Sequence, residues 1–207
     1  MKRVLFGFNS CGAAMLAVAS LMGDPARAAA PAIQPGVYDE LLIGYAPSTK
    51  VVTGYFSSET GAGRFNCIFY LTGVMTGAAA PITTYFPATP KDRISGVIKT
   101  DASGHVGVAL REEHGGCWNV QHFADKDQPS DFTLSAAHPW IQIRVVRAKK
   151  PFFYNAPEEA SRRRGYLVLG DGVGVDEGRP GWVRVDYPNT DKMTSGWIRE
   201  ADLFPGP

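Results

Sequence analysis

The most constraining feature of the sequence is a series of short β-favouring runs that Gly- and Pro-containing turns separate about every ten residues. From Val37 onward, no window of about 11 residues shows helical periodicity. Evenly spaced short runs of this kind are typical of antiparallel barrels and sandwiches. The runs are Val37–Tyr45, Val51–Ser57, Arg64–Thr72, Ile82–Phe86, Arg93–Thr100, His105–Arg111, Cys117–Phe123 and Phe132–Ser135.

These runs predict an all-β first domain, an antiparallel β-barrel or sandwich of roughly eight strands within residues 33–137. Gly44, Gly54 and Gly73 lie inside the runs and predict bulges or barrel corners. The pattern fits both a lipocalin-like cup for an apolar ligand and a small barrel filled by its own side chains. The aromatic residues that would line the cup or fill the barrel are Tyr55, Phe56, Phe69, Tyr70, Tyr85, Phe86 and Trp118.

The N-terminal segment has the pattern of a secretory signal peptide. Lys2 and Arg3 precede an apolar stretch that reaches Met22, and a small-residue site of the A-x-A type ends at Ala28. We expect cleavage near Ala28 and a periplasmic or secreted protein without a membrane span in its mature part.

The predicted export also determines how the cysteines are interpreted. Only Cys67 and Cys117 follow the predicted signal peptide, and an even pair in an oxidising compartment predicts a disulfide. The sequence contains no Cys-x-x-Cys motif, which argues against a reactive thiol pair.

Charge and composition exclude two classes of protein. Lys and Arg total 21 and Asp and Glu total 20, whereas a nucleic-acid-binding protein would show a basic excess or stripe. Aromatic residues make up 11% of the chain, which is too many for a disordered protein.

From about Trp140 onward the chain carries an ordered set of motifs. They are an aromatic segment within Arg147–Pro157, Gly165–Asp171, Gly181–Tyr187 and Gly196–Leu203. This part, about residues 140–204, resembles a bacterial SH3-like (SH3b) domain. The resemblance implies a strongly bent barrel of about five strands that recognises a partner in exported proteins, often near the cell wall, without catalysis. The acidic aromatic segment of eukaryotic SH3 domains is missing, so binding of proline-rich peptides is not carried over.

Alternation within the second unit predicts one buried face. Val183, Val185 and Tyr187 alternate with more polar positions. A unit of this size has more aromatic residues than its core can bury, and exposed aromatic side chains often mark recognition surfaces. We therefore predict Trp182, Trp197 and Tyr154 as binding residues.

Other clusters of functional side chains have simpler interpretations. His114, Cys117 and His122 could ligate a metal, but oxidation of Cys117 would remove its sulfur as a ligand. Glu112, Glu113 and Asp125 could supply a glycosidase-like carboxylate pair, but Glu112 and Glu113 precede a Gly-Gly turn and are best interpreted as a solvated loop. We also expect a solvated turn at Arg162–Arg164.

The sequence thus predicts an exported, non-catalytic protein with no metal or cofactor, which uses its SH3-like module to recognise an envelope protein or a peptidoglycan peptide. Two alternatives stay open: an inhibitor or immunity protein of an envelope-targeting enzyme, and a carrier of a small apolar ligand. The predicted domains are a signal peptide at 1–28, a disulfide-containing barrel or sandwich at 29–139 and the SH3-like domain at 140–207.

Overall fold

The computed structural model describes residues 33–125, 128–189 and 192–207. The predicted signal peptide lies outside these residues. The described chain is all-β, as predicted, and consists of two antiparallel sheets with three short 3₁₀ helices. None of the helices in the described chain has the length and apolarity needed to span a membrane.

The first sheet is a nearly closed antiparallel barrel of nine strands. One extended segment brings the two ends of the sheet together: β8 (Ser130–Phe132) pairs with β7 (Val106–Leu110), and β9 (Leu134–Ala137) pairs with β1 (Gly36–Tyr38). The barrel prediction is therefore confirmed. The strands are β1 (Gly36–Tyr38), β2 (Leu41–Ala46), β3 (Val51–Thr60), β4 (Phe65–Val74), β5 (Ala79–Tyr85), β6 (Ile94–Thr100), β7 (Val106–Leu110), β8 (Ser130–Phe132) and β9 (Leu134–Ala137).

Aromatic rings fill the interior of the barrel. Phe56 packs on Phe69, with ring centroids 5.4 Å apart, and Phe123 contacts both rings edge-on at 4.9 Å. Phe132 closes the cluster against Phe56 and Phe123. All four rings are buried, so these residues form a packed core of the barrel.

The first predicted strand is wrong in one respect, because Val37–Tyr45 forms two strands rather than one. Asp39 adopts a positive φ of 49° and turns the chain between β1 and β2. Its carboxylate accepts a hydrogen bond of 2.9 Å from the Thr133 amide. Asp tolerates this left-handed conformation better than most residues, which explains a turn that the apolar pattern does not show.

The predicted strand Cys117–Phe123 is also wrong. Cys117–Asn119 forms a 3₁₀ helix, which Gly116 enters with a φ of 87°. A Cβ atom at Gly116 would lie 2.3 Å from the carbonyl oxygen of Asn66. The predicted disulfide between Cys117 and Cys67 is confirmed and ties this helix to β4. The crosslink and the close approach to β4 thus override the β propensity of the segment.

The second sheet has six strands in the order β10-β13-β14-β15-β11-β12. Val183, Val185 and Ile198 lie in its buried core, and Tyr187 packs against that core, in agreement with the predicted alternation. The sheet has one strand more than the SH3-like resemblance implies, and the resemblance stays a prediction. The strands are β10 (Gln142–Val145), β11 (Phe152–Tyr154), β12 (Arg162–Tyr166), β13 (Gly172–Arg179), β14 (Trp182–Asn189) and β15 (Lys192–Arg199).

The second sheet packs on the outer wall of the barrel. Trp140 is fully buried between them and donates a hydrogen bond of 2.9 Å to Asp186. The hydroxyl groups of Tyr55 and Tyr70 donate to the carbonyl oxygens of Gly170 and Ile143, at 2.8 and 3.0 Å. Burial raises the pKa of both tyrosines, so the two phenols stay protonated and serve as donors.

Gly44 is explained by this contact rather than by a bulge. The pairings of β2 with β3 and of β3 with β4 run without a register shift, so the described strands have no bulge at Gly44, Gly54 or Gly73. A Cβ atom at Gly44 would lie 2.6 Å from the backbone of Gln142. Gly44 therefore permits the close approach of the two units.

Candidate binding site

The outer face of β14 and β15 carries the predicted tryptophans. Val183 and Ile198 point into the core, so their neighbours along each strand point outward. The register places Trp182 opposite Arg199, and Trp197 opposite Arg184. Indole and guanidinium groups therefore alternate along each strand and also between the two neighbouring strands.

Tyr154 extends this surface from β11. It is paired with Trp197 and therefore lies on the same side of the sheet, and its ring contacts Trp182 edge-on with centroids 4.8 Å apart. Tyr154 is only 4% exposed, whereas both tryptophans are partly exposed. The structure thus brings the three predicted residues together, with the buried Tyr154 ring packed against Trp182 and paired in register with Trp197. We call Tyr154, Trp182, Arg184, Trp197 and Arg199 the aromatic face.

Carboxylates hold the two arginines of the aromatic face. Arg184 pairs with Asp176 at 3.1 Å, and Arg199 pairs with Glu159. The hydrogen bond from Arg199 lowers the pKa of Glu159, so this carboxylate stays charged near neutral pH. The ion pairs restrain the guanidinium groups beside the indoles. The resulting surface combines apolar indole rings with charged guanidinium groups.

The sequence prediction missed Arg184, Arg199 and their partners. A signal for the two arginines was present, because Gly181–Arg184 and Gly196–Arg199 both read Gly-Trp-x-Arg. Residues two apart on a strand share a face, so each motif places an indole and a guanidinium side by side. The carboxylates come from other segments and have no comparable local signal.

The arginine cluster lies in a strand and not in the predicted turn. Arg162–Arg164 is part of β12, at the edge of the second sheet. Arg162 lies over the ring of Phe152, at 4.8 Å from its centroid, and Arg163 donates a hydrogen bond of 2.6 Å to the Ser195 carbonyl oxygen. Charged side chains on an exposed edge oppose pairing with other chains.

Residues considered for a metal site or for a carboxylate pair have structural partners. The sulfur of Cys117 is in the disulfide, and Glu113 accepts hydrogen bonds from the Phe123 and Ala124 amides at 2.9 and 2.8 Å. Within residues 33–125, 128–189 and 192–207 there is no group of three or more His, Cys, Asp or Glu side chains that could hold a metal ion.

His114 makes the stability of the barrel sensitive to pH. Its Nε2 atom lies 2.7 Å from Oγ1 of the buried Thr84, and its ring stacks on Phe69. Burial lowers its pKa from the ordinary 6.5, although Glu113 and Glu112 oppose the shift. The unfolded chain therefore takes up the proton first, and the contribution of His114 to stability is present above pH 6.5 and lost as the pH falls below it.

We expect His114→Gln to flatten the decline in the free energy of unfolding between pH 7 and about pH 5. Urea titrations at several pH values would measure this decline. His105→Gln is the matched control, because the His105 side chain is 48% exposed. Parallel pH curves for the wild type and His114→Gln would show that the interpretation of His114 is wrong.

No family model, curated protein or solved structure matches this chain. The function of the chain is therefore inferred from the geometry of the site.

Proposed function

We propose that this chain is an exported, non-catalytic binding protein that recognises an envelope protein or a peptidoglycan peptide through the aromatic face. The main support is the arrangement of Trp182 and Trp197, which are partly exposed on one side of a sheet and lie beside restrained arginines. Tryptophan, tyrosine and arginine are the residue types that contribute most to binding at protein interfaces.

The chemistry of the aromatic face fits a peptide with both apolar and acidic groups. The indoles offer flat apolar surfaces, and the arginines offer donors to carboxylates. Residues 143–207 contain 11 positive and 9 negative side chains, a small basic excess that favours acidic targets. Cell-wall peptides carry free carboxylates and methyl groups, and an acidic loop of an envelope protein offers similar groups.

Export is supported by the disulfide between Cys67 and Cys117. Such crosslinks persist in oxidising compartments and are rare in the reducing cytosol. The filled interior of the barrel favours binding at the surface over transport of an apolar ligand inside it, because Phe56, Phe69 and Phe123 occupy the space such a ligand would need.

We expect the double substitution Trp182→Ala and Trp197→Ala to lower binding to envelope material by about tenfold or more. Sedimentation with purified sacculi and affinity purification from envelope extract with mass spectrometry would measure it. Protease treatment of the sacculi distinguishes a wall peptide from a bound protein.

Trp118→Ala is the matched control for this experiment, because Trp118 is 67% exposed and lies on the barrel. Circular dichroism must show that each variant remains folded. Unchanged retention of the folded double variant in both assays would refute the role of the aromatic face.

The exposure of Trp118 also favours a second candidate function, inhibition of an envelope-targeting enzyme. Trp118 directly follows Cys117, which the disulfide ties to β4, and its ring contacts His122 edge-on at 4.6 Å. A preorganised loop with an exposed indole suits insertion into an enzyme cleft. In that case Trp118→Ala, and not the double variant, would abolish the capture of a hydrolase from the extract.

A further inference from the structure

A second candidate site lies between the barrel and the second sheet, away from the aromatic face. It is a cleft of about 480 Å³, within the range of roughly 300–1,000 Å³ that is usual for small-molecule sites. The barrel contributes Tyr70, Tyr85 and the turn that follows β5, and the opposite wall comes from β10 and the segment after Leu203. We call this space the interdomain cleft.

The walls of the interdomain cleft are suited to a flat ring. Tyr70 and Tyr85 lie side by side, with centroids 5.4 Å apart, and Phe204 lies on the other wall. Pro87 and Pro90 also line the space. Aromatic and proline side chains present rigid apolar surfaces on which a ring can stack.

The charged residues of the cleft are both arginines. Arg144 is 8% exposed and Arg147 is exposed at the rim. None of the described residues that line the cleft carries a carboxylate. The carboxylate of Glu200 lies 3.9 Å from Nη1 of Arg144, and its side chain is 52% exposed outside the cleft.

The hydrogen-bond acceptors of these arginines are neutral, and the Glu200 carboxylate that pairs with Arg144 is 3.9 Å away and half-exposed. Arg144 donates from Nε and Nη2 to the carbonyl oxygen of Phe204, at 3.0 and 2.5 Å, and Arg147 donates from Nη2 to that of Ala201 at 2.7 Å. A carbonyl oxygen accepts a hydrogen bond but carries no full negative charge. Because a buried cation is costly without a close counter-charge, an anion in the cleft would stabilise Arg144, and the exposed Arg147 at the rim would offer that anion a second cation.

We propose that the interdomain cleft binds a small aromatic carboxylate, with its ring between Tyr85 and Phe204 and its carboxylate on Arg144 and Arg147. This site is independent of the proposed peptide binding, because it shares no residue with the aromatic face. The Arg144 side chain also holds the Phe204 carbonyl in place, so Arg147 is the better residue to test.

Isothermal titration calorimetry of the full chain with 3-phenylpropanoate tests the proposal, and the uncharged 3-phenylpropanamide is the matched ligand. We expect the acid to bind with a dissociation constant of about 1 mM or tighter, and the amide at least tenfold more weakly. Arg147→Gln should weaken binding of the acid about tenfold. Ala88→Trp, which places an indole in the cleft, should abolish it.

Arg164→Gln is the control variant, because it removes an exposed cation on β12 and should bind the acid as the wild type does. Equal affinity for acid and amide, or wild-type affinity in folded Ala88→Trp, would overturn the proposal. A lack of binding of the acid up to roughly 10 mM would overturn it as well. None of these results depends on envelope binding, so failure of this site and failure of the aromatic face are distinguishable.

Discussion

Trp140→Ala is expected to lower the free energy of unfolding by about 3–5 kcal/mol. Trp140 is 0% exposed and fills the contact between the two sheets. Its ring stacks on His138, with centroids 4.5 Å apart, and lies directly against Gly174, where an added Cβ atom would be 2.1 Å from the indole. The substitution would leave a cavity between the sheets and deprive buried Asp186 of one of its donors.

Urea unfolding followed by circular dichroism measures the effect, with Trp118→Ala as the matched control. Trp118 is 67% exposed, so its loss should change stability by no more than about 0.5 kcal/mol. Trp140→Phe retains most of the packing and removes the hydrogen bond, so it should fall between the two. If Trp140→Ala were no less stable than Trp118→Ala, the packed interface described above would be wrong.

Removal of the disulfide is expected to cost roughly 4 kcal/mol, because the crosslink closes a loop with a sequence separation of 50 residues. The double substitution Cys67→Ala and Cys117→Ala makes this change without reductant. Both half-cystines are 0% exposed, so a part of the cost comes from lost packing at the end of the barrel. The midpoint of urea unfolding should shift to a much lower concentration.

A reducing agent provides the second measurement for the disulfide. It should destabilise the wild type by a similar amount and leave the double alanine variant unchanged. Equal stability of the oxidised wild type and the double variant would show that the crosslink does not contribute to the folded state as we infer.

Features with a local signal could be predicted well. Val183 and Val185 alternate with polar positions, and the structure buries them as the period of two requires. The turn-separated runs predicted a barrel or a sandwich, and the structure forms a nearly closed barrel whose two end strands, β8 and β9, belong to one segment. Trp182 and Trp197 were predicted from the excess of aromatic residues, and the strand register places them on one face with Tyr154.

Features that depend on a distant part of the chain could not be predicted. The segment Cys117–Phe123 has a strand-like pattern, but Cys117–Asn119 forms a 3₁₀ helix that the disulfide ties to β4. Neighbouring aromatic residues in one strand also have different surroundings, since Phe56 packs inside the barrel whereas Tyr55 contacts the second sheet. Alternation predicts that they point to opposite sides but does not reveal that both sides are buried.

The spacing of turns, the alternation of side chains and the parity of the cysteines were enough to predict two β-rich units and one crosslink. These features follow from backbone conformation and chain chemistry within a few residues. The packing of Trp140 against Gly174, the approach of Gln142 to Gly44 and the pairing of Arg199 with Glu159 were decided only by the tertiary structure. Each of these contacts joins separate segments, and its energy depends on burial and distance that arise only after the sheets have packed together.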